Sequence, residues 1–285
     1  MFPLREIRYV RLGAANLDES VAFATRILGL QLVERTGDRA FLRSDHRAHT
    51  LCYVAGGSPG HVIGFEVADD VSLDAVADML GQRKIDARWG TRGECDERQV
   101  RRIIRFEDRN GTTIEVVERG QVSGWRYFPA RDAGITGFSH VGLHSGDLLR
   151  DHDFWTGVCG ARVSDWIGDA ALLRINPVHH SIALFPSQRV GVQHVNHQVE
   201  SIDDVMRSYY FLREHGVKIV FGPGRHPTSS AVFLYFQGPD DVVYEYSCGV
   251  KMITDEAGHQ PRQFPFSPAG FCMWGSKPDV PEFRD

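Results

Sequence analysis

Apolar and polar positions follow the same order twice along the chain. IRYVRLG (7–13) and FSHVGLH (138–144) read as strands. In each case a polar cap, Asn16 or Asp147, precedes an apolar-periodic stretch that predicts a helix. AFLRSD, HTLCYV, ALLRIN and SIALFP are short, apolar-rich runs that predict further strands. A later helix starts at a capping-box pair, Ser201 and Asp204, and stops at Gly216. Val10, Leu12, Phe23, Thr25 and Gly29 fall on Val141, Leu143, Phe154, Thr156 and Gly160 at an offset of 131. FEVADDVSLDAVADML lies under HQVESIDDVMRSYYFL at an offset of 132, and Glu115 lies under Glu245 at 130. Three segments in one order with a nearly constant shift indicate an internal duplication. The pattern predicts an α+β protein of four βαβββ modules, two in each half. A polar, turn-rich stretch around residues 121–132 joins the halves. The expected divisions are residues 1–125, residues 135–250, and a tail over 251–285 that packs on the body or on a neighbour.

Composition narrows the partners. The 285 residues are 42% hydrophobic and 24% charged, with net charge −5, an ordinary globular balance. There is no Lys/Arg run or basic face, so no nucleic-acid partner is expected. MFPLREIRYVRLG has no apolar signal core, and no window reaches the length of a membrane span. Cys52, Cys95, Cys159, Cys248 and Cys272 are odd in number and never paired as CxxC. That usage fits reduced thiols in a cytoplasmic protein better than disulfides or a zinc site. Thirteen histidines are present, and ten fall between His140 and His259.

The two copies differ where chemistry would sit. Tyr9 stands where the second copy has His140, and Val62 where it has His194, while both keep a glutamate, Glu115 or Glu245. In VGVQHVNHQV, His194 and His197 are three apart and so face opposite sides of a strand. The sister position of His197 is Phe65, which marks a packing face, so His194 is the functional candidate. Taken singly, His140, His194 and Glu245 would read as core histidines and a surface glutamate. Taken jointly, at matched positions of a repeat, they are two imidazoles and a carboxylate. Such a set holds a metal on one face and leaves positions open for substrate and dioxygen.

FSHVGLHSGDL, INPVHHSIALF, VQHVNHQVESIDDV and FGPGRHPTSSAVFLYFQGPDDVVYEYSCG resemble the extradiol ring-cleaving dioxygenases of the vicinal oxygen chelate superfamily. The resemblance covers nearly the whole chain. It implies paired modules forming mixed, curved sheets with outer helices, and a first half without metal. It assigns His140, His194 and Glu245 as ligands of Fe(II), with Mn(II) an occasional substitute. It also implies His180 as the acid/base group, on a strand adjoining that of His194. His226 and Tyr235 are implied as hydrogen-bond donors to the substrate. The HHS run offers His179 as well; the residue before serine matches, leaving His179 as a solvated or packing histidine. Implied partners are a catechol, O2 and further copies of the chain, and the HQV segment is most similar to a branch acting on alkyl-substituted catechols. Phe185, Phe233, Tyr246, Trp166 and Met206 are candidates for an aromatic pocket or simply core. Arg225, Lys218 and Arg174 could meet a substrate carboxylate or be plain surface cations, and His144 could sit at the cavity rim. Two rivals stand beside this reading: a glyoxalase-like isomerase, which needs a fuller ligand set, and a metal-free protein that binds aromatic ligands or antibiotics.

Overall fold

The computed structural model describes residues 4–56, 60–68, 72–279 and Phe283. The first half runs β1 (Leu4–Ala14), α1 (Leu17–Arg26), β2 (Gln31–Arg35), β3 (Arg39–Arg43), β4 (Leu51–Ala55), β5 (Val62–Val67), α2 (Leu73–Gln82), β6 (Ala87–Trp89), α3 (Arg92–Arg98), β7 (Arg102–Glu107) and β8 (Thr113–Glu118). The second runs β9 (Ile135–Ser145), α4 (Leu148–Gly157), β10 (Arg162–Ile167), β11 (Ala170–Arg174), β12 (Ile182–Pro186), β13 (Val192–Val199), α5 (Ile202–Glu214), β14 (Ile219–Arg225), β15 (Val232–Gln237) and β16 (Val243–Cys248). The tail adds β17 (Arg262–Phe264) and the short α6 (Pro268–Phe271).

The caps are those the sequence predicts. Asn16 accepts from the Glu19 amide, Asp147 from the Arg150 amide, and Ser201 and Asp204 close a reciprocal capping box. Gly29 and Gly160 both adopt positive φ just past their helices, 76° and 71°, a conformation that costs glycine no Cβ clash.

The strands form two mixed sheets, ordered β2-β3-β4-β1-β5-β8-β7-β6 and β14-β15-β16-β13-β9-β12-β11-β10-β17. In each, the modules meet along an antiparallel pair, β1 with β5 and β9 with β13. That pairing places the first strands of two modules side by side at the centre of the sheet.

Strand alternation gives each sheet two buried faces. Ile182 and Leu184 of β12 enter one large apolar core, while Ala183 and Phe185 enter a second cluster with Phe271, Cys272 and Phe283 of the tail. The large core draws on both halves, and its contacts repeat the duplication. Phe23 of α1 packs on Phe236 of β15 at 6.4 Å, and Phe154 of α4 packs on Phe106 of β7 at 6.3 Å between ring centroids. Each half therefore sets a helix residue against the other half's sheet. The joining segment is stapled down rather than loose: Arg131 donates to the Ile27 carbonyl and the Tyr246 hydroxyl, and Arg43 donates to the carbonyls of Trp125 and Arg126.

The halves differ in what covers the second face. In the first it is α3, opened by a Thr91–Glu94 capping box. In the second it is the tail, whose β17 pairs with β10. The sequence reading missed α3, although TRGE at residues 91–94 is a capping-box signature.

Candidate metal centre

His140 lies on β9, His194 on β13 and Glu245 on β16, three strands that are neighbours in the sheet. A separation of about fifty residues in sequence thus becomes contact. His140 Nε2 is 3.1 Å from His194 Nε2 and 2.9 Å from Glu245 Oε2, and His194 Nε2 is 3.5 Å from the same oxygen. All three residues are buried. Glu245 Oε2 has no hydrogen-bond partner despite its burial. A buried carboxylate oxygen left without a partner is costly unless something else engages it. Three convergent ligand atoms around that oxygen fit a divalent metal ion, and among the described residues this is the one such cluster.

The surroundings hold the ligands in metal-binding form. The carboxamide oxygen of Gln193 accepts from His194 Nδ1, which leaves Nε2 free of hydrogen. Burial pushes the His194 imidazole down to about 3, so it is neutral. Burial acts to raise the Glu245 carboxyl, but His140, His226 and His194 outweigh it and hold the group well below the usual carboxylate range. Gly142 pairs with His194 across β9 and β13, and a Cβ there would lie 2.2 Å from His194 Nδ1. His197, on the other side of β13, packs edge-on against Phe138 at 5.6 Å with both ring nitrogens unpartnered. It is a packed residue, as the comparison with Phe65 predicts.

His180, His226 and Tyr235 gather around the cluster. The His180 ring lies 4.2 Å from that of His140. Its position differs from the expectation in one respect. It precedes β12, which adjoins the strand of His140 and not that of His194. Tyr235 sits opposite Glu245 in the β15–β16 pair, with its ring 5.2 Å from that of His194. Burial and the adjacent Glu245 hold its phenol well above the ordinary tyrosine range. His226 Nδ1 donates to the Phe271 carbonyl at 2.8 Å, and its Nε2 lies 3.3 Å from the Tyr235 hydroxyl. His226 thus lies between the Phe271 carbonyl and the Tyr235 hydroxyl, beside Glu245 Oε1 at 3.7 Å.

Of the pocket candidates, Phe185 and Phe233 join Tyr235, Phe221, Phe271 and Phe283 in the aromatic cluster. Tyr246 lies in the other core, Trp166 packs at a tilt against His152, and Met206 lines a surface groove with Arg207 and Tyr210. The three cations are engaged elsewhere: Arg174 with Glu256, Lys218 with Asp279, and Arg225 with the Ser230 carbonyl and Trp274. His144 is buried at the far end of β9, where its carbonyl accepts from Asn110. His179, expected to be solvated or packing, is fully buried and bonded to Asp165.

The sequence model of the glyoxalase/bleomycin resistance protein/dioxygenase superfamily matches residues 6–116 and again 137–246. The chain belongs to this superfamily. Within it, the chain is 27% identical over 278 residues to an iron-dependent extradiol dioxygenase of Rhodococcus jostii strain RHA1, covering 89% of this chain and 92% of that one. Its structure is similar to that of a halotolerant catechol dioxygenase, with TM-score 0.88 and 25% identity over 98% of this chain and 97% of the other. It is also similar to a Mn(II)-bound glyoxalase from Novosphingobium aromaticivorans, with TM-score 0.87 and 26% identity over 100% and 95% of the two chains.

The superfamily module is present twice, but the first copy fills its site with protein. Glu115 receives Tyr9 Oη at 2.6 Å and a forked pair of bonds from Arg98 at 3.1 and 2.9 Å. A guanidinium engages the carboxylate whose counterpart, Glu245, is left open. His49 occupies the place of His180 (180 − 131 = 49) and stacks on Tyr9 at 5.3 Å. The sequence reading missed this match, although HTLCYV and HSIALF align at the same offset.

Proposed function

We propose that the protein is an extradiol dioxygenase that cleaves a substituted catechol with O2, giving a muconic semialdehyde-type product, at Fe(II), or at Mn(II) in its place. The observation that carries this reading is the convergence of His140, His194 and the unpartnered Glu245 Oε2, with His180 beside them. The likeness to an iron-dependent extradiol dioxygenase and to a catechol dioxygenase supports it.

His140, His194 and Glu245 would hold the metal. Bound there, it supplies Lewis acidity toward the catechol hydroxyls and a redox route to O2. His180 takes a proton from a catechol hydroxyl and holds it for return to the product. Burial, followed by the neighbouring His140 and His179, keeps its imidazole well below the ordinary range, which favours the neutral form a base requires. Tyr235 keeps its proton and can donate a hydrogen bond to an oxygen of the reacting ring. His226, fixed by the Phe271 carbonyl, orients that hydroxyl. The wall formed by Phe185, Phe221, Phe233 and the tail's Phe271 and Phe283 excludes water and suits an apolar ring substituent, alkyl or aryl.

The similarity to a Mn(II)-bound glyoxalase favours a second reading, a metal-dependent isomerase. That chemistry calls for a fuller ligand set than the three residues gathered here. Anaerobic reconstitution with Fe(II), followed by oxygen uptake with alkyl- and aryl-catechols, separates the readings. Stoichiometric O2 consumption with a coloured ring-fission product is expected. Isomerisation of a hemithioacetal without O2 uptake would establish the second reading. Binding of aromatics unaffected by chelation would establish a metal-free binding protein.

The reading extends to assembly and location. Trp125 and Phe128 on the joining segment are 83% and 75% exposed, which supports a homo-oligomer formed through that surface. A monomer in sedimentation at micromolar concentration would count against it. All five cysteines are free and buried, in keeping with a cytoplasmic setting. No helix among the described residues is long and apolar enough to cross a membrane.

A further inference from the structure

We propose that Asp165 and His179 are positioning residues that decide which ring nitrogen of His180 carries the proton. The proposal rests on the reading of His180 as the acid/base group. Asp165, on β10, and His179, before β12, are both wholly buried, and His179 Nε2 lies 2.9 Å from Asp165 Oδ2. Arg262 of β17 bonds both oxygens of Asp165, through its amide at 2.8 Å and its guanidinium at 2.6 Å. The His179 amide donates to the Lys251 carbonyl, so the backbone of this residue is fixed as well. Burial acts to raise the Asp165 carboxyl, but its bonds with His179 and Arg262 outweigh this and keep it ionised.

The hydrogen bonds then run in one direction. A carboxylate only accepts, so His179 Nε2 carries the hydrogen. Burial, only partly opposed by Asp165, keeps the His179 ring neutral, and its Nδ1 therefore holds a lone pair. His179 Nδ1 is 3.1 Å from His180 Nδ1. Two lone pairs cannot face each other at that distance, so His180 must supply the hydrogen from its own Nδ1. His180 Nε2, on the opposite side of the ring from His179, is left with a lone pair. That nitrogen can take the proton when a catechol O–H bond breaks.

The duplication provides an internal comparison. The first half keeps a histidine at the place of His180, His49, but has Ala48 where His179 stands (179 − 131 = 48). Both His49 ring nitrogens are without partners. The orienting pair is present in the copy that also has the His-His-Glu cluster.

The direct test is 15N NMR of the histidine rings in the full-length protein with diamagnetic Zn(II) in place of iron. The expected wild-type pattern is His179 protonated at Nε2 and His180 at Nδ1. Asp165→Asn can present its amide N–H to His179 and should reverse both. In the Fe(II) enzyme, Asp165→Asn and His179→Leu should each lower kcat by about 10- to 100-fold, the usual scale for groups that orient a reacting residue. KM and iron content should stay near wild type. His180 protonated at Nε2 in the wild-type protein would overturn the proposal, even if neither variant folds. So would wild-type kcat in Asp165→Asn while His180→Gln is impaired. Normal turnover in His180→Gln would instead remove the acid/base reading on which the proposal rests.

Discussion

Gly142 and His180 show how closely single positions constrain the site. A side chain at 142 would occupy the space of the His194 ring, since its Cβ would stand 2.2 Å from Nδ1. Gly142→Ala is therefore expected to leave the sheet intact but displace the ligand. Its metal affinity should fall by about 10- to 100-fold, the range seen when ligand orientation is lost. Metal analysis after equilibrium dialysis, alongside far-UV circular dichroism, checks this; full metal retention would refute the packing argument. His180→Gln probes chemistry instead of ligation. Three ligands already form the cluster, so metal content should be unchanged. Turnover should fall roughly a hundredfold, or about 3 kcal/mol of barrier. Loss of iron in step with activity would make His180 a ligand.

At the scale of elements, the duplication left matched helix contacts across the two halves. Phe23 reaches the second half's sheet, and Phe154 reaches the first half's, through ring contacts of nearly equal length. A core shared in this way predicts one cooperative unfolding transition for the described body, with no separate melting of the halves. Phe154→Ala removes a buried ring and should cost about 3–5 kcal/mol. Calorimetry should show a single lowered transition; two transitions, only one of them shifted, would mean that the halves are energetically independent. The same scale explains where the copies diverged. Helix α3 brings Arg98 onto Glu115 in the first half, whereas the tail leaves Glu245 open, meeting His226 through the Phe271 carbonyl and His179's partner Asp165 through Arg262.

The whole molecule carries an acid sensitivity in its buried histidines. Burial pushes His49 and His197 to about 3, against 6.5 for the free side chain. A histidine depressed in the fold contributes its full stability above the unfolded pKa. That contribution is lost as pH falls below it, because the unfolded chain takes up the proton first. At about pH 5 each should cost on the order of 2 kcal/mol relative to pH 8. Denaturant unfolding across that range should show the decline. His197→Phe, which installs the residue of the sister position, should remove one histidine's share. An unchanged pH slope in that variant would show that His197 is not held neutral by burial.

The modules, the caps and the convergence of His140, His194 and Glu245 were legible in the sequence because their causes are local or repeated. Strand and helix periods are written within a few residues, as at Asn16 and Ser201. The duplication supplied its own control, setting Tyr9 and Val62 against His140 and His194. What the chain could not disclose depends on contacts across more distant segments. Asp165, His179 and Arg262 are ordinary residues in three separate stretches until β17 pairs with β10. Nothing near His226 in sequence names the Phe271 carbonyl, 45 residues on, as the partner of its Nδ1. Arg98 is one more charge in a charged stretch until it meets Glu115. Residue type and spacing determined which groups could bind a metal. Which nitrogen of His179 and of His194 carries the hydrogen was decided only when folding removed water and set those rings against Asp165 and Gln193.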